Sequence, residues 1–274
     1  MTKCILITGA TDGIGLETAK ALALQGHTLL LHGRSTDKLK SVQQQLMMLS
    51  EDLKIETYRA DLSELNQVKI LADAITRNHG TLDVLINNAG VLKTSQPRTV
   101  DGLDLRFAVN TLAPYYLTQR LRPLFPPSGR VINLSSAAQA PVSIPALEGR
   151  EVLTDDMSAY AQSKLALTMW SRVLAQGSPR GQPLFVAVNP GSLLASKMVK
   201  EGFGIEGKSL SVGADILVEA ALSERFSQAS GLYFDNDAGD FNHPHADALN
   251  DSRCQAVVRA IESVLERHTG SALL

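Results

Sequence analysis

The stretch Cys4-Ile5-Leu6-Ile7-Thr8-Gly9-Ala10-Thr11-Asp12-Gly13-Ile14-Gly15 decides how the rest of the chain is read. A short apolar run closed by glycine reads as a buried strand, here Cys4–Thr8. Three glycines then follow with G-x-x-x-G-x-G spacing. Gly9 lets the chain turn off the strand, Gly13 lets the backbone approach a pyrophosphate, and Gly15 lets the next helix pack closely. That helix begins with free N–H groups and a positive dipole end, which suits phosphates. Glycines alone would mark only a turn. Placed between a strand and a helix, they read as a dinucleotide cradle in which Thr8, Gly9, Thr11, Asp12, Gly13, Ile14 and Gly15 take part.

Outward from the turn, apolar segments alternate between strand and helix spacing. The first helix is expected over Gly13–Gln25, with Ile14, Ala21, Leu22 and Leu24 on its buried face. Further strands are expected at Thr28–His32, Ile55–Ala60, Val84–Asn87, Arg130–Ser135, Leu184–Val188 and Gly231–Phe234. Helices are expected at Asp37–Leu49 (N-cap Asp37), Leu65–Asn78, Leu103–Leu121 (kinked at Pro114), Ala159–Gln176, Val212–Leu222 and Asp247–His268. This alternation predicts an α/β fold: one doubly wound parallel sheet of about seven strands with helices on both faces. No linker divides the chain, so residues 1–274 read as a single domain.

Composition agrees. The 274 residues are 44% hydrophobic and 20% charged, enough for a core that needs no disulfide or metal. The formal net charge of −2 and the lack of a basic run argue against a nucleic-acid partner. Cys4 and Cys254 form no C-x-x-C pair, which fits a reducing compartment. No signal peptide and no membrane-length apolar segment are read, so a cytoplasmic location is expected.

Past the second strand comes His32-Gly33-Arg34-Ser35. An acidic residue about 20 positions beyond the glycine turn binds the ribose 2′-hydroxyl of NAD, whereas Arg accommodates the 2′-phosphate of NADP. Arg34 stands there with no acid beside it, so NADP(H) is expected as the preferred cofactor, with NAD(H) left open. Tyr160 and Lys164 are four residues apart on one helix face. Free Tyr is a weak base at neutral pH, and a nearby ammonium favours its phenolate.

With these residues in place, the chain resembles the short-chain dehydrogenase/reductase family, closest in pattern to retinol dehydrogenase-like and carbonyl-reducing members. The resemblance runs from about residue 3 to 235 and implies a Rossmann-type fold. Asp61-Leu62 is similar to the adenine-contacting pair, and Asn88-Ala89-Gly90 to the family's strand-four motif, with Asn87 steadying the sheet. Asn110, Ser136, Tyr160 and Lys164 match its catalytic tetrad. Pro190-Gly191 looks like the segment facing the nicotinamide, and Ser196 stands in for the Thr that often binds the carboxamide. The resemblance implies that Tyr160 gives or takes the substrate proton and that Lys164 lowers the Tyr pKa and holds the nicotinamide ribose. Ser136 would bind the substrate oxygen, and Asn110 would order a water. Alternation along the strand puts Ser135 and Ser136 on opposite sides, and only the resemblance selects Ser136.

Residues 140–158 resemble an insertion of retinol dehydrogenase-like members, which suggests a lipophilic carbonyl or alcohol substrate. The same region puts the family's usual subunit interface in doubt, leaving monomer and homodimer open. The glycine-rich segment 197–209 reads as a mobile substrate lid. Asp235-Asn236-Asp237-Ala238-Gly239-Asp240 resembles a calcium loop, but its glycine falls one place early and no Glu closes it, so it reads as a polar turn. His243 and His245 lack further ligands for a metal. The reading is an oxidoreductase that transfers a hydride between NADP(H) and a carbonyl or alcohol. The alternatives are a silent dinucleotide sensor, or an NAD(H)-dependent alcohol dehydrogenase.

Overall fold

Strands in the centre of this chain are apolar on both faces, because each face is covered. A computed structural model describes residues 2–49, 53–177, 183–198, 200, 204 and 206–270. Strands β1 (Cys4–Ile7), β2 (Thr28–Gly33), β3 (Ile55–Arg59), β4 (Val84–Asn87), β5 (Arg130–Leu134), β6 (Leu184–Asn189), β7 (Tyr233–Asp235) and β8 (Asp240–Asn242) form one sheet in the order β3-β2-β1-β4-β5-β6-β7-β8. All pairs are parallel except β7–β8. The eighth strand was not anticipated: the polar turn at 235–240 reverses the chain and adds an antiparallel edge. The order reverses direction between β1 and β4, where a crevice opens beyond the strand ends.

Period-two alternation sorts the strand side chains into two cores. Leu6, Leu30, Leu85, Val131 and Phe185 face helices α3 (Leu65–Asn78), α5 (Ala113–Leu121), α7 (Asp156–Gln176) and α9 (Asp251–Thr269). Ile5, Ile7, Leu29, Leu31, Ile86, Ile132 and Val186 face α1 (Gly13–Ala23), α2 (Thr36–Met47) and α8 (Leu210–Leu222). Among the described residues no helix is long and apolar enough to cross a membrane.

Three local expectations change. The buried face of α1 is Gly15, Thr18, Ala19, Leu22 and Ala23, while Leu24 is 70% exposed. The helix ends at Ala23, and Leu24, its C-cap, falls off the inner face. Ser35, not Asp37, caps α2: its hydroxyl accepts from the Lys38 N–H, leaving Asp37 in the first turn beside the positive dipole end. The helix expected over 103–121 is divided. A short α4 (Leu105–Phe107) passes through a π turn (Ala108–Leu112) into α5. Pro114 has no N–H to give the Asn110 carbonyl, so the α pattern cannot close there. The widened turn bonds Ala113 N–H to the Ala108 carbonyl.

Candidate active site

The crevice at the switch point is a cleft of ≈ 390 Å³. At one end the glycine turn forms its floor, with Gly9, Thr11, Asp12, Gly13 and Ile14 lining it. Gly15 lies below the lining, and its lack of a side chain is required. A Cβ there would stand 2.4 Å from both Asn88 Nδ2 and the Gly9 carbonyl oxygen. Asn88 Nδ2 donates to the carbonyls of Thr8 (2.8 Å) and Gly9 (3.1 Å), so this close approach ties β4 to the turn. Thr8 is buried beneath the cleft, where its hydroxyl accepts the N–H groups of Asn88 and Ala89. A Cβ on Gly13 would meet only Ser196 Cβ, at 4.0 Å, and would project into the cleft. These residues therefore fit a bound pyrophosphate, which needs bare backbone at that point.

Arg34, exposed at the end of β2, lines the cleft, and no ion pair engages it among the described residues. Asp61 and Leu62 line it from the end of β3; the Asp61 carboxylate accepts from the Ser63 N–H and hydroxyl. His32 is a contact that the sequence reading missed. It is 2% exposed, accepts the Gly9 N–H at Nδ1 (3.3 Å) and donates from Nε2 to the Ala60 carbonyl (3.1 Å). Burial drives its pKa down to about 4, so the ring stays neutral and bridges the glycine turn to β3. A His in the apolar run before Gly33 was the available signal.

From the turn the lining runs on through Asn88, Ala89 and Gly90, with Ser196 opposite Gly13, and includes Tyr160, Lys164 and Pro190. Tyr160 and Lys164 share one face of α7, and Lys164 Nζ sits 5.6 Å from the Tyr160 ring centroid. Asp155 caps this helix by accepting from Ser158 N–H. Buried Arg106 of α4 ties its first turn down through Asp156 (3.0 Å) while also bonding Asp104 (2.8 Å). Lys164 Nζ donates to the Leu134 carbonyl (2.6 Å), and burial lowers its pKa to about 8. Burial pushes the Tyr160 phenol up, and a hydrogen bond from the Ser136 hydroxyl only partly opposes this. Desolvation outweighs that bond, so Tyr160 holds its proton.

The two serines part just past β5. Ser135 lines the cleft, but its Oγ turns into α7, 2.6 Å from Thr168 Oγ1; Ser136 lies outside the lining, and its side chain bonds Tyr160. Asn110 is fully buried in the π turn. Its Nδ2 donates to the Val91 carbonyl (2.9 Å) and Ser163 Oγ (2.9 Å), and its Oδ1 accepts Val91 N–H (2.8 Å). Ser163 in turn donates to the Tyr160 carbonyl (2.7 Å), so Asn110 links the segment after Gly90 to the Tyr160 helix. Gly191 lies just outside the lining. The insertion at 140–158 contributes nothing to the lining; it forms the short α6 (Ile144–Leu147), whose Ala146 and Leu147 enter the core. Of the segment 197–209, Lys197 and Met198 line the cleft, while 199, 201–203 and 205 lie outside the described residues.

Chemically, the cleft offers a proton on a buried phenol, a hydroxyl and an ammonium beside it, and a glycine cradle with a guanidinium at the far end. Residues 3–203 match the family described as short chain dehydrogenase. Retinol dehydrogenase 12 of Mus musculus is 32% identical over 247 residues, covering 85% of this chain and 77% of its own. A solved protein from Mycobacterium paratuberculosis superposes with a TM-score of 0.77 at 25% identity, covering 99% of this chain and 95% of its own. A short chain dehydrogenase from Escherichia coli CFT073, complexed with NADPH, does so with a TM-score of 0.69 at 27% identity over 85% of this chain and 96% of its own. The chain therefore belongs to the short-chain dehydrogenase/reductase family and is an NAD(P)-dependent oxidoreductase acting on CH–OH or C=O groups.

Proposed function

We propose that the protein reduces a carbonyl substrate with NADPH, and in reverse oxidises the alcohol, with Tyr160 moving the proton. The observation that carries this reading is Tyr160 and Lys164 together on the lining of a cleft that also presents Arg34, with Ser136, outside the lining, hydrogen-bonded to Tyr160. The bound nicotinamide dinucleotide supplies the hydride. As charge builds on the substrate oxygen, Ser136 Oγ donates a hydrogen bond to it and Tyr160 transfers its phenolic proton. The Lys164 ammonium stabilises the phenolate left behind. Asn110 positions both the segment after Gly90 and the Tyr160 helix. Thr11, Asp12, Gly13 and Ile14 hold the pyrophosphate, while Asp61 and Leu62 flank the adenine. Arg34 takes the 2′-phosphate, a dianion suited to its fixed fork of donors.

The likeness to a retinol dehydrogenase supports a lipophilic alcohol or aldehyde as substrate. Residues 197–209 act as its lid. The two free thiols suit a reducing compartment such as the cytoplasm. The test is a titration of the protein with NADPH and NADH, repeated with Arg34→Ala. Tighter NADPH binding is expected, weakened by roughly 10- to 100-fold in the variant, as for the loss of a hydrogen bond to a charged group, while NADH binding stays unchanged. Equal affinities in the parent protein would overturn the assignment of Arg34.

A further inference from the structure

The segment after β6 has a backbone problem. Leu193 adopts φ 56°, a left-handed conformation that costs a bulky residue about 1–2 kcal/mol and persists only where the surroundings impose it. Its carbonyl accepts the Lys208 N–H (2.7 Å), and the residues just before it are held from the β7–β8 turn. The Asp237 carboxylate accepts the Ser192 N–H on both oxygens, at 2.9 and 3.0 Å, and the Ser192 hydroxyl at 2.5 Å. It also accepts from Asn189 Nδ2 at 3.0 Å, and Lys208 Nζ lies 3.7 Å away. Next to it, Asn236 Nδ2 donates to the Pro190 carbonyl (2.9 Å) and the Val212 carbonyl (3.2 Å). Asn189, at the end of β6, closes the arrangement by donating to Asp235 (2.8 Å) and accepting the Gly191 N–H (3.3 Å).

These bonds fix Pro190, Gly191 and Ser192 from outside, yet neither Asn236 nor Asp237 lines the cleft. Pro190 does, and Ser196, a few residues on, faces Gly13 across it. The hairpin itself is anchored to the site, because the Tyr233 hydroxyl of β7 donates to the Ser136 carbonyl at 3.1 Å. A turn of this composition would otherwise need no charge here, since Asp237 makes every one of these bonds outside its own hairpin.

We propose that Asp237, with Asn236, is a positioning residue: it holds residues 190–193 in their strained shape and thereby sets affinity for the nicotinamide half of the cofactor without touching it. The inference rests on the reading of the cleft as an NADP(H) site. It separates the two ends of the cleft, because the glycine turn and Arg34 are held by other bonds.

The test is calorimetric titration of the folded protein, Asp237→Ala and Ser192→Ala with two probes, NADPH and 2′-phospho-ADP-ribose, which lacks the nicotinamide. Asp237→Ala is expected to weaken NADPH by about tenfold, the scale of a lost charge-assisted hydrogen bond, and to leave the fragment within twofold. Ser192→Ala, which keeps the backbone bonds, should move NADPH in the same direction by less, and it serves if Asp237→Ala does not fold. Equal weakening of both probes would reduce Asp237 to a general structural role and overturn the proposal. Unchanged NADPH binding in both variants would overturn it as well. Failure of the parent protein to bind either probe would instead remove the cofactor reading on which the proposal stands.

Discussion

At the glycine turn the chain uses left-handed dihedrals on glycines, φ 67° at Gly9 and 56° at Gly13. In the segment after β6, Leu193 takes φ 56°, two residues past Gly191 at φ 114°. Glycine adopts a left-handed φ without a steric cost. Leucine does not, and its neighbours are held by Asp237 and Asn236 from a hairpin about 45 residues further along the chain, a separation the hydrogen bonds themselves record as 45 and 46. Both ends carry long-range bonds, from Asn88 and His32 at the first and from Asp237 and Asn236 at the second. Only at the second does a non-glycine residue keep a left-handed φ beside them.

The largest expected effect separates chemistry from both ends. Tyr160→Phe removes the proton and should lower kcat by about 10²- to 10⁴-fold, the usual contribution of a general acid. The Kd for NADPH should stay within about twofold, since no cradle residue is altered. Steady-state kinetics beside a binding titration check this, and a near-normal kcat would take Tyr160 out of the mechanism.

A smaller effect belongs to the nicotinamide end alone. Lys164 is charged below about 8 and neutral above it, because burial lowers its pKa. Reduction needs the ammonium to stabilise the phenolate, so kcat/KM for a carbonyl should be level below pH 8 and fall toward tenfold per unit above it. A pH profile that rises through this range would reverse the sign of the argument.

The smallest effects test the contrast itself. Gly9→Ala forces a Cβ to within 3.0 Å of Ala89 Cα at a left-handed φ and should destabilise by about 1–3 kcal/mol. Leu193→Gly relieves the left-handed strain but adds freedom to the unfolded chain, so a net gain of no more than about 1 kcal/mol is expected. Urea unfolding of the two variants measures both. If Leu193→Gly were as destabilising as Gly9→Ala, strain would not distinguish the two ends.

The same contrast explains what the sequence made legible. The strand–helix alternation and the glycine turn are short-range patterns, and Tyr160 and Lys164 are one helical turn apart, so each could be read in a local window. Arg34 was found because it follows a strand end that the pattern already located. His32 was passed over because a single polar residue in an apolar run carries no periodic signal; its value lies in bonds to Gly9 and Ala60, across three neighbouring strands. Asp237 sat in a segment correctly read as a polar turn, yet its partner Ser192 could be identified only once β7 lay beside β6. That Ser135 Oγ bonds Thr168 depends on the orientation of α7, which no local window shows. No local pattern in residues 140–158 foretold that Ala146 and Leu147 would enter the core.

The π turn at Ala108–Leu112 has a consequence for what the chain can lose. Each residue of an α-helix advances the phase by about 100°. A turn that already holds one residue more than α winding needs can lose that residue with the helix beyond it facing nearly as before. A deletion at Ala113, past the turn, would instead swing everything further along by that angle. Tyr115, whose hydroxyl now donates to Glu262 (2.8 Å) and whose ring stands edge-on to Trp170 at 5.5 Å, would then point elsewhere. The fold should therefore tolerate the loss of one residue far better inside the turn than just beyond it.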